Sequence, residues 1–158
     1  MIESKDTHDK IIEILDKNGP SLPIKIARDV GLSSLFISAF LSELTSSKRI
    51  RISNLKVGGS PLYFLPGQES LLEDFHTYLH PKEIDAFKLL KSKKVLKDND
   101  LSPHIRVAMR SLKDFAVGFK LHDLLYWRYF STSLQEVEKI LNINTRGDTE
   151  SKDNKKLI

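Results

Sequence analysis

The sequence predicts a mainly helical α+β fold with small β-hairpins, built as two similar modules in tandem. Three observations carry that expectation. Apolar residues recur at helical spacing along three early segments, and the period then switches to the alternation of a hairpin between residues 48 and 65. Gly and Pro punctuate the chain where elements should stop, at Asn18-Gly19-Pro20, Gly31 and Pro66-Gly67. Residues 81–142 then follow the same order of helix, short step, helix and hairpin, with no residue-level repeat between the halves. The expected division is a first module over 1–68, a connecting helix over 69–80, a second module with a C-terminal helix over 81–142, and a polar, disordered tail over 143–158.

Composition bounds the function. The chain has 158 residues, 40% hydrophobic and 29% charged, the balance of a globular protein long enough for one domain or two modules of about 70 residues. The absence of cysteine excludes disulfides, Cys-ligated zinc and thiol chemistry. No apolar run approaches the roughly 20 residues that span a bilayer, and the start, Met1 to Asp6, lacks a signal-like apolar stretch. A cytoplasmic protein is expected, nucleoid-associated if it binds DNA.

Taken in order, Asp6 or Thr7 caps a first helix with Ile11, Ile12, Ile14 and Leu15 on one stripe. Pro23 to Val30 has the length of a two-turn helix. Gly31-Leu32-Ser33 forms a turn, with Gly31 at positive φ, Leu32 in the core and Ser33 capping a third helix over Ser34 to about Ser47. That helix turns Ile37, Phe40, Leu41 and Leu44 inward. Lys48 to Ser53 alternates as a half-buried strand, Lys56 to Pro61 is a turn, and Leu62 to Leu65 returns. Glu69 to Leu79 reads as an amphipathic helix through Leu71, Leu72, Phe75, Tyr78 and Leu79.

In the second half, Pro81-Lys82-Glu83 opens a helix with Ile84, Phe87, Leu89 and Leu90 apolar, and Val95-Leu96 is a short apolar step. Ser102-Pro103 starts a helix over 103–114 that directs Ile105, Val107, Ala108, Leu112 and Phe115 to a core. Residues 115–121 and 124–130 pair as a hairpin; the rival reading makes 103–130 one or two continuous helices. Ser133 and Glu136 form a capping box for a last helix whose stripe, Leu134, Val137, Ile140 and Leu141, packs on its own module or on a partner subunit.

Three helices closed by a hairpin is the winged helix-turn-helix arrangement, and "IARDVGLSSLFISAFLSELTSSKRI" is similar to that superfamily's pattern over about 60 residues. The wing, "KVGGSPLYFLPGQE", resembles that of small uncharacterised archaeal winged-helix proteins. In DNA-binding members the third helix enters the major groove and the hairpin touches backbone or minor groove. That resemblance implies contacts to double-stranded DNA from Ser34, Ser38 and Ser42, flanked by Leu35 and Thr45, with phosphate contacts from Lys48, Arg49, Arg51 and Lys56.

The charge map points elsewhere. Residues 1–80 carry nine Lys/Arg against ten Asp/Glu, residues 81–130 eleven against six, and residues 131–158 five against five. Arg106, Arg110 and Lys113 share one helical face and form the best cationic stripe for nucleic acid, or a solvated face with Arg110 paired to Asp114. Tyr126, Trp127 and Tyr129 belong to a core or dimer interface, or stack on bases.

His76 and His80 are four apart, but Thr77 stands where a zincin has Glu, and no catalytic order or phosphate loop occurs. No enzyme, metal or cofactor is expected. Two functions remain. One is a DNA-binding transcriptional regulator or chromatin accessory factor using helix 103–114, the wing near Lys56 and the basic strand Lys48–Arg51. The other is a protein–protein adaptor without direct DNA binding, touching its partner through Leu35 and Phe36, with a homodimer or protein partner on the C-terminal helix.

Overall fold

A computed structural model describes residues 4–143, and the predicted tail from Asn144 lies outside them. The chain divides into two compact units, Met1–Leu79 and His80–Ile158.

The first unit contains α1 (Ser4–Asn18), α2 (Pro23–Val30), α3 (Ser34–Ser46), β1 (Arg51–Val57) and β2 (Ser60–Phe64). Helix α1 begins before the expected caps, so Thr7 lies inside it, fully buried, and Asp6 sits in its first turn. Gly31 ends α2 at φ 84°, its N–H closing on the Ala27 carbonyl, and the Ser33 hydroxyl accepts from the Phe36 N–H at 3.4 Å to start α3. The three helices bury Ile11, Leu15, Ile26, Ile37, Leu41 and Leu44 together, with Leu32 and Phe40 half-buried against them. Ser21 and Tyr63 exchange both backbone hydrogen bonds at 2.9 Å, so a single residue before α2 serves as a rudimentary first strand beside β2.

The hairpin departs from its expected bounds. The connection after α3 holds Lys48, at φ 64°, and Arg49; only Arg51 of the proposed basic strand lies in β1. The turn narrows to Gly58-Gly59, both at positive φ, as a two-residue hairpin loop requires. Between the pairs Ile52–Tyr63 and Lys56–Pro61, β1 carries two extra residues. Ser53 holds this bulge: its buried hydroxyl accepts from the Leu62 N–H at 2.9 Å and donates to the Leu55 carbonyl at 2.7 Å. The bulge resets the alternation, which leaves Ile52 exposed and buries Leu55. Ser53→Ala would leave the Leu62 N–H buried without its acceptor, and chemical denaturation should show a loss of about 1–3 kcal/mol.

Residues Glu69–Tyr78 form a 3-10 helix within the first unit, not the amphipathic α-helix expected there. Leu72 alone of its apolar residues is fully buried, while Leu71 and Tyr78 are exposed. Just before it, the Gln68 side chain accepts from the Leu65 N–H and donates to the Leu15 carbonyl, both at 2.9 Å, tying the segment to the end of the wing and to α1.

The second unit follows the same order: α4 (Pro81–Lys93), β3 (Val95–Lys97), a 3-10 turn (Asp98–Asp100), α5 (Pro103–Ser111), β4 (Ala116–Leu121), β5 (Leu124–Tyr129) and α6 (Leu134–Leu141). Its sheet runs β3-β5-β4, so the first strand pairs with the last, as the Ser21 bridge does in the first unit. The hairpin reading of 116–129 is therefore the observed one, and the continuous-helix rival is overturned. His122 and Asp123, both at positive φ, make its two-residue turn. Gly118 stands opposite Trp127, where a Cβ would lie 3.2 Å from the indole Cζ3. Phe115 is fully buried against Phe87 and Phe130. One inward assignment fails: Val107 is 69% exposed, because α5 turns Ile105, Ala108 and Met109 inward instead. Ser133 accepts from the Glu136 N–H at 3.2 Å, and α6 lays Val137 and Leu141 on Val95, Phe119 and Leu121 of its own sheet.

Candidate interaction surfaces

In a three-helix module closed by a hairpin, the outward face of the third helix and the wing beside it are the surfaces open to a partner. In the first unit, Ser34, Ser38 and Ser42 all lie on the exposed face of α3, as expected. Leu35 and Phe36 share that exposure, at 79% and 60%, and α2, packed on α3, adds Ile24 at 62%. Large apolar residues exposed together, not singly, mark interaction surfaces. Thr45 is half-buried and donates to the Leu41 carbonyl at 2.7 Å, so it is spent on the helix itself. The one ionisable residue of α3, Glu43, faces His8 at 3.0 Å.

Of the four basic residues after α3, Arg49, Arg51, Lys48 and Lys56, the two arginines face carboxylates. Arg49 lies 3.7 Å from Asp9, and Arg51 donates to Glu69 at 3.0 Å. Both pairs are exposed and contribute little to stability, but each places a negative charge beside the positive one. Lys48 and Lys56 are exposed.

The second unit gathers its arginines around one carboxylate. Asp98, 3% exposed, accepts from Arg106 Nε and Nη2 through Oδ2 at 3.2 and 3.0 Å. It also accepts from Arg110 Nη1 and Nη2 at 3.0 and 3.1 Å, and from Trp127 Nε1 at 2.9 Å. The Arg110 guanidinium further lies 5.7 Å from the Trp127 ring centre. The Arg110 hydrogen bonds, helped by Trp127 and Arg106 and opposed by burial, hold the Asp98 carboxyl at about 2, below its ordinary 3.8. In return the Asp98 bond raises the Arg110 pKa.

This cluster explains a difference between the units. Where the first has an eight-residue α2, the second has only Asp98–Asp100 before α5. Asp98 fastens that short turn to α5 and to β5 by side-chain bonds. Arg110, like Arg106, is bound to Asp98, so the stripe Arg106, Arg110 and Lys113 is not a row of free cations; Lys113 is exposed. Trp127 is a half-buried donor to Asp98, Tyr126 stacks on Phe119, and Tyr129 packs in the core on Phe87. Asp98 escaped the sequence reading because Asp98-Asn99-Asp100 looks like an ordinary turn. The signal that could have found it is the pair Arg106 and Arg110, four apart on the helix that the acidic turn opens.

Among the described residues no group of three or more His, Asp or Glu gathers as a metal site, and no helix is long and apolar enough to cross a membrane. His76 Nδ1 sits 2.8 Å from the Glu73 carbonyl, while His80 caps α4.

No family model matches the chain, and no curated protein matches it in sequence. Among solved structures it is similar to the Zalpha domain of PKZ from Carassius auratus, solved in complex with Z-DNA. That similarity has 31% identity and covers 39% of this chain and 95% of that one, with a TM-score of 0.36. It is also similar to ScpB from Mycobacterium tuberculosis at 13% identity, over 91% of this chain and 99% of that one, with a TM-score of 0.31.

Proposed function

We propose that the chain is built of two winged helix-turn-helix modules in tandem, a reading supported by the order of helices and hairpin in each unit, and that it is an assembly adaptor that engages a protein partner through α3 of its first module. The observation that carries this reading is the chemistry of the two third helices. Helix α3 offers exposed Leu35 and Phe36 among hydroxyls and no cation. Helix α5 offers arginines whose donors are already directed at Asp98. A duplex binder needs cations free to replace counterions along phosphates, whereas a protein interface is anchored by desolvated aromatic and aliphatic side chains. The DNA-regulator reading loses its best stripe on this geometry. No catalytic step is proposed.

The test is affinity capture from cells of the source organism, with nuclease present, comparing wild type with the double variants Leu35→Glu/Phe36→Glu and Lys48→Glu/Lys56→Glu. All four side chains are exposed, so each variant should stay folded. Burying Leu35 and Phe36 is worth roughly 1.5–3 kcal/mol each. A specific protein should be retained by wild type and by the lysine variant, and lost by the Leu35/Phe36 variant. Retention by the Leu35/Phe36 variant, or capture abolished by nuclease, would count against the adaptor.

A further inference from the structure

The second unit holds an edge that its own sheet leaves open. β3 pairs only with β5 among the described residues. The Tyr129 N–H donates to the Lys94 carbonyl at 2.8 Å, and Val95, Leu96 and Lys97 stand opposite Arg128, Trp127 and Tyr126. In an antiparallel ladder hydrogen-bonded and non-bonded pairs alternate. Leu96 therefore bonds inward to β5, and the N–H groups of Val95 and Lys97 and the C=O of Val95 point away from it, while the Lys97 C=O opens the 3-10 turn that follows. Such an edge is a template for another strand.

A concavity of about 490 Å³ lies against this edge. Val95, Leu96 and Lys97 all line it, although consecutive strand residues turn their side chains to opposite faces. What these three share is the backbone edge, so the concavity runs along it. Leu89 and Leu101 form its wall toward α4 and α5, and Tyr126 and Leu141 its wall toward α6. An added strand would drop alternate side chains to either wall.

Charge decides between occupants. Lys93 leads into β3 and Lys97 lines the concavity, where Asp100 is the one carboxylate of the lining. A second copy would bring the same lysines against these.

We propose that the β3 edge receives an extended segment of a partner protein, apolar at alternate positions and flanked by carboxylates, by strand addition. This site rests on the second unit's sheet and not on the α3 face, so the two readings fail separately.

The experiment selects a phage-displayed library of random twelve-residue peptides on the full chain. Binding of the enriched peptides is then measured to wild type and three variants. Lys97→Pro removes an outward N–H at a residue whose φ of −89° is near proline's own. Lys97→Glu keeps that N–H and reverses the charge. Leu35→Glu/Phe36→Glu alters only α3. The expected peptides carry acidic residues around alternating apolar ones, bind both Lys97 variants at least tenfold more weakly, and bind the α3 variant as wild type. They should also slow amide exchange at Val95 and Lys97, which is fast in the free chain. Peptides that bind all forms equally, no enrichment, or amides at Val95 and Lys97 already protected in the free chain would each overturn the proposal.

Discussion

Arg106→Ala combined with Arg110→Ala is expected to cost the second unit about 1.5–3 kcal/mol, because it removes the charge-assisted hydrogen bonds that cover the Asp98 carboxylate. Asp98 is 3% exposed, and after the substitution its only remaining named donor would be Trp127 Nε1. Asp98→Ala should cost less. The arginine side chains are 41% and 48% exposed, so water can solvate them once the carboxylate is gone. Trp127 is the single tryptophan and donates to Asp98, so its fluorescence during urea unfolding reads this unit directly. Equal losses for the two variants would mean that the carboxylate is hydrated and the burial argument wrong.

The same pair sets an acid limit. Because the folded Asp98 pKa is lowered to about 2 from 3.8, its stabilisation is complete above about pH 4. It is lost as pH falls from there through about 2. A wild-type unfolding series between pH 5 and 2 should show a drop that Asp98→Asn lacks.

Phe115→Ala is the second large effect, at about 3–5 kcal/mol. The ring is fully buried where α5 hands over to β4, with Phe87 4.8 Å and Phe130 6.1 Å away between ring centres. Its backbone also closes the sheet, since the Phe130 N–H donates to the Phe115 carbonyl at 2.9 Å. Neither neighbour can fill the void without breaking its own contacts. Urea unfolding followed by Trp127 checks the value, and Phe115→Leu should recover part of it by restoring volume.

What the sequence made legible was local. Gly31 followed by Ser33, Ser102-Pro103, and Ser133 with Glu136 act within one turn of the chain, and each helix start lies where they put it. The hairpin over 116–129 was readable from two β-rich runs around a two-residue gap. What escaped depended on distant partners. The Ser53 bulge exists because a hydroxyl reaches Leu62, nine residues on, and no alternation pattern signals it. Asp98 finds its donors 8, 12 and 29 residues away. Val107 was a local misassignment: it lies two residues after Ile105, nearly opposite it on a helix, whereas Met109 lies four after, on the face that α5 buries. At the candidate site, the serine face of α3 and the exposure of Leu35 and Phe36 were visible in the residues. The neutralisation of the arginine stripe was not, because charge counting cannot tell a solvated guanidinium from one bound to a buried acid.

The central claim, that neither third helix presents the cations a duplex requires, is tested most directly by titrating the full chain with a fluorescent DNA duplex at about 50 mM salt. Non-specific binders reach roughly 10⁻⁴–10⁻⁶ M even at physiological salt. The expected result is no saturable binding tighter than about 10⁻⁴ M at this low salt. Micromolar binding that weakens steeply with added salt, and weakens further in Lys48→Glu/Lys56→Glu, would contradict the account and restore the DNA-binding reading.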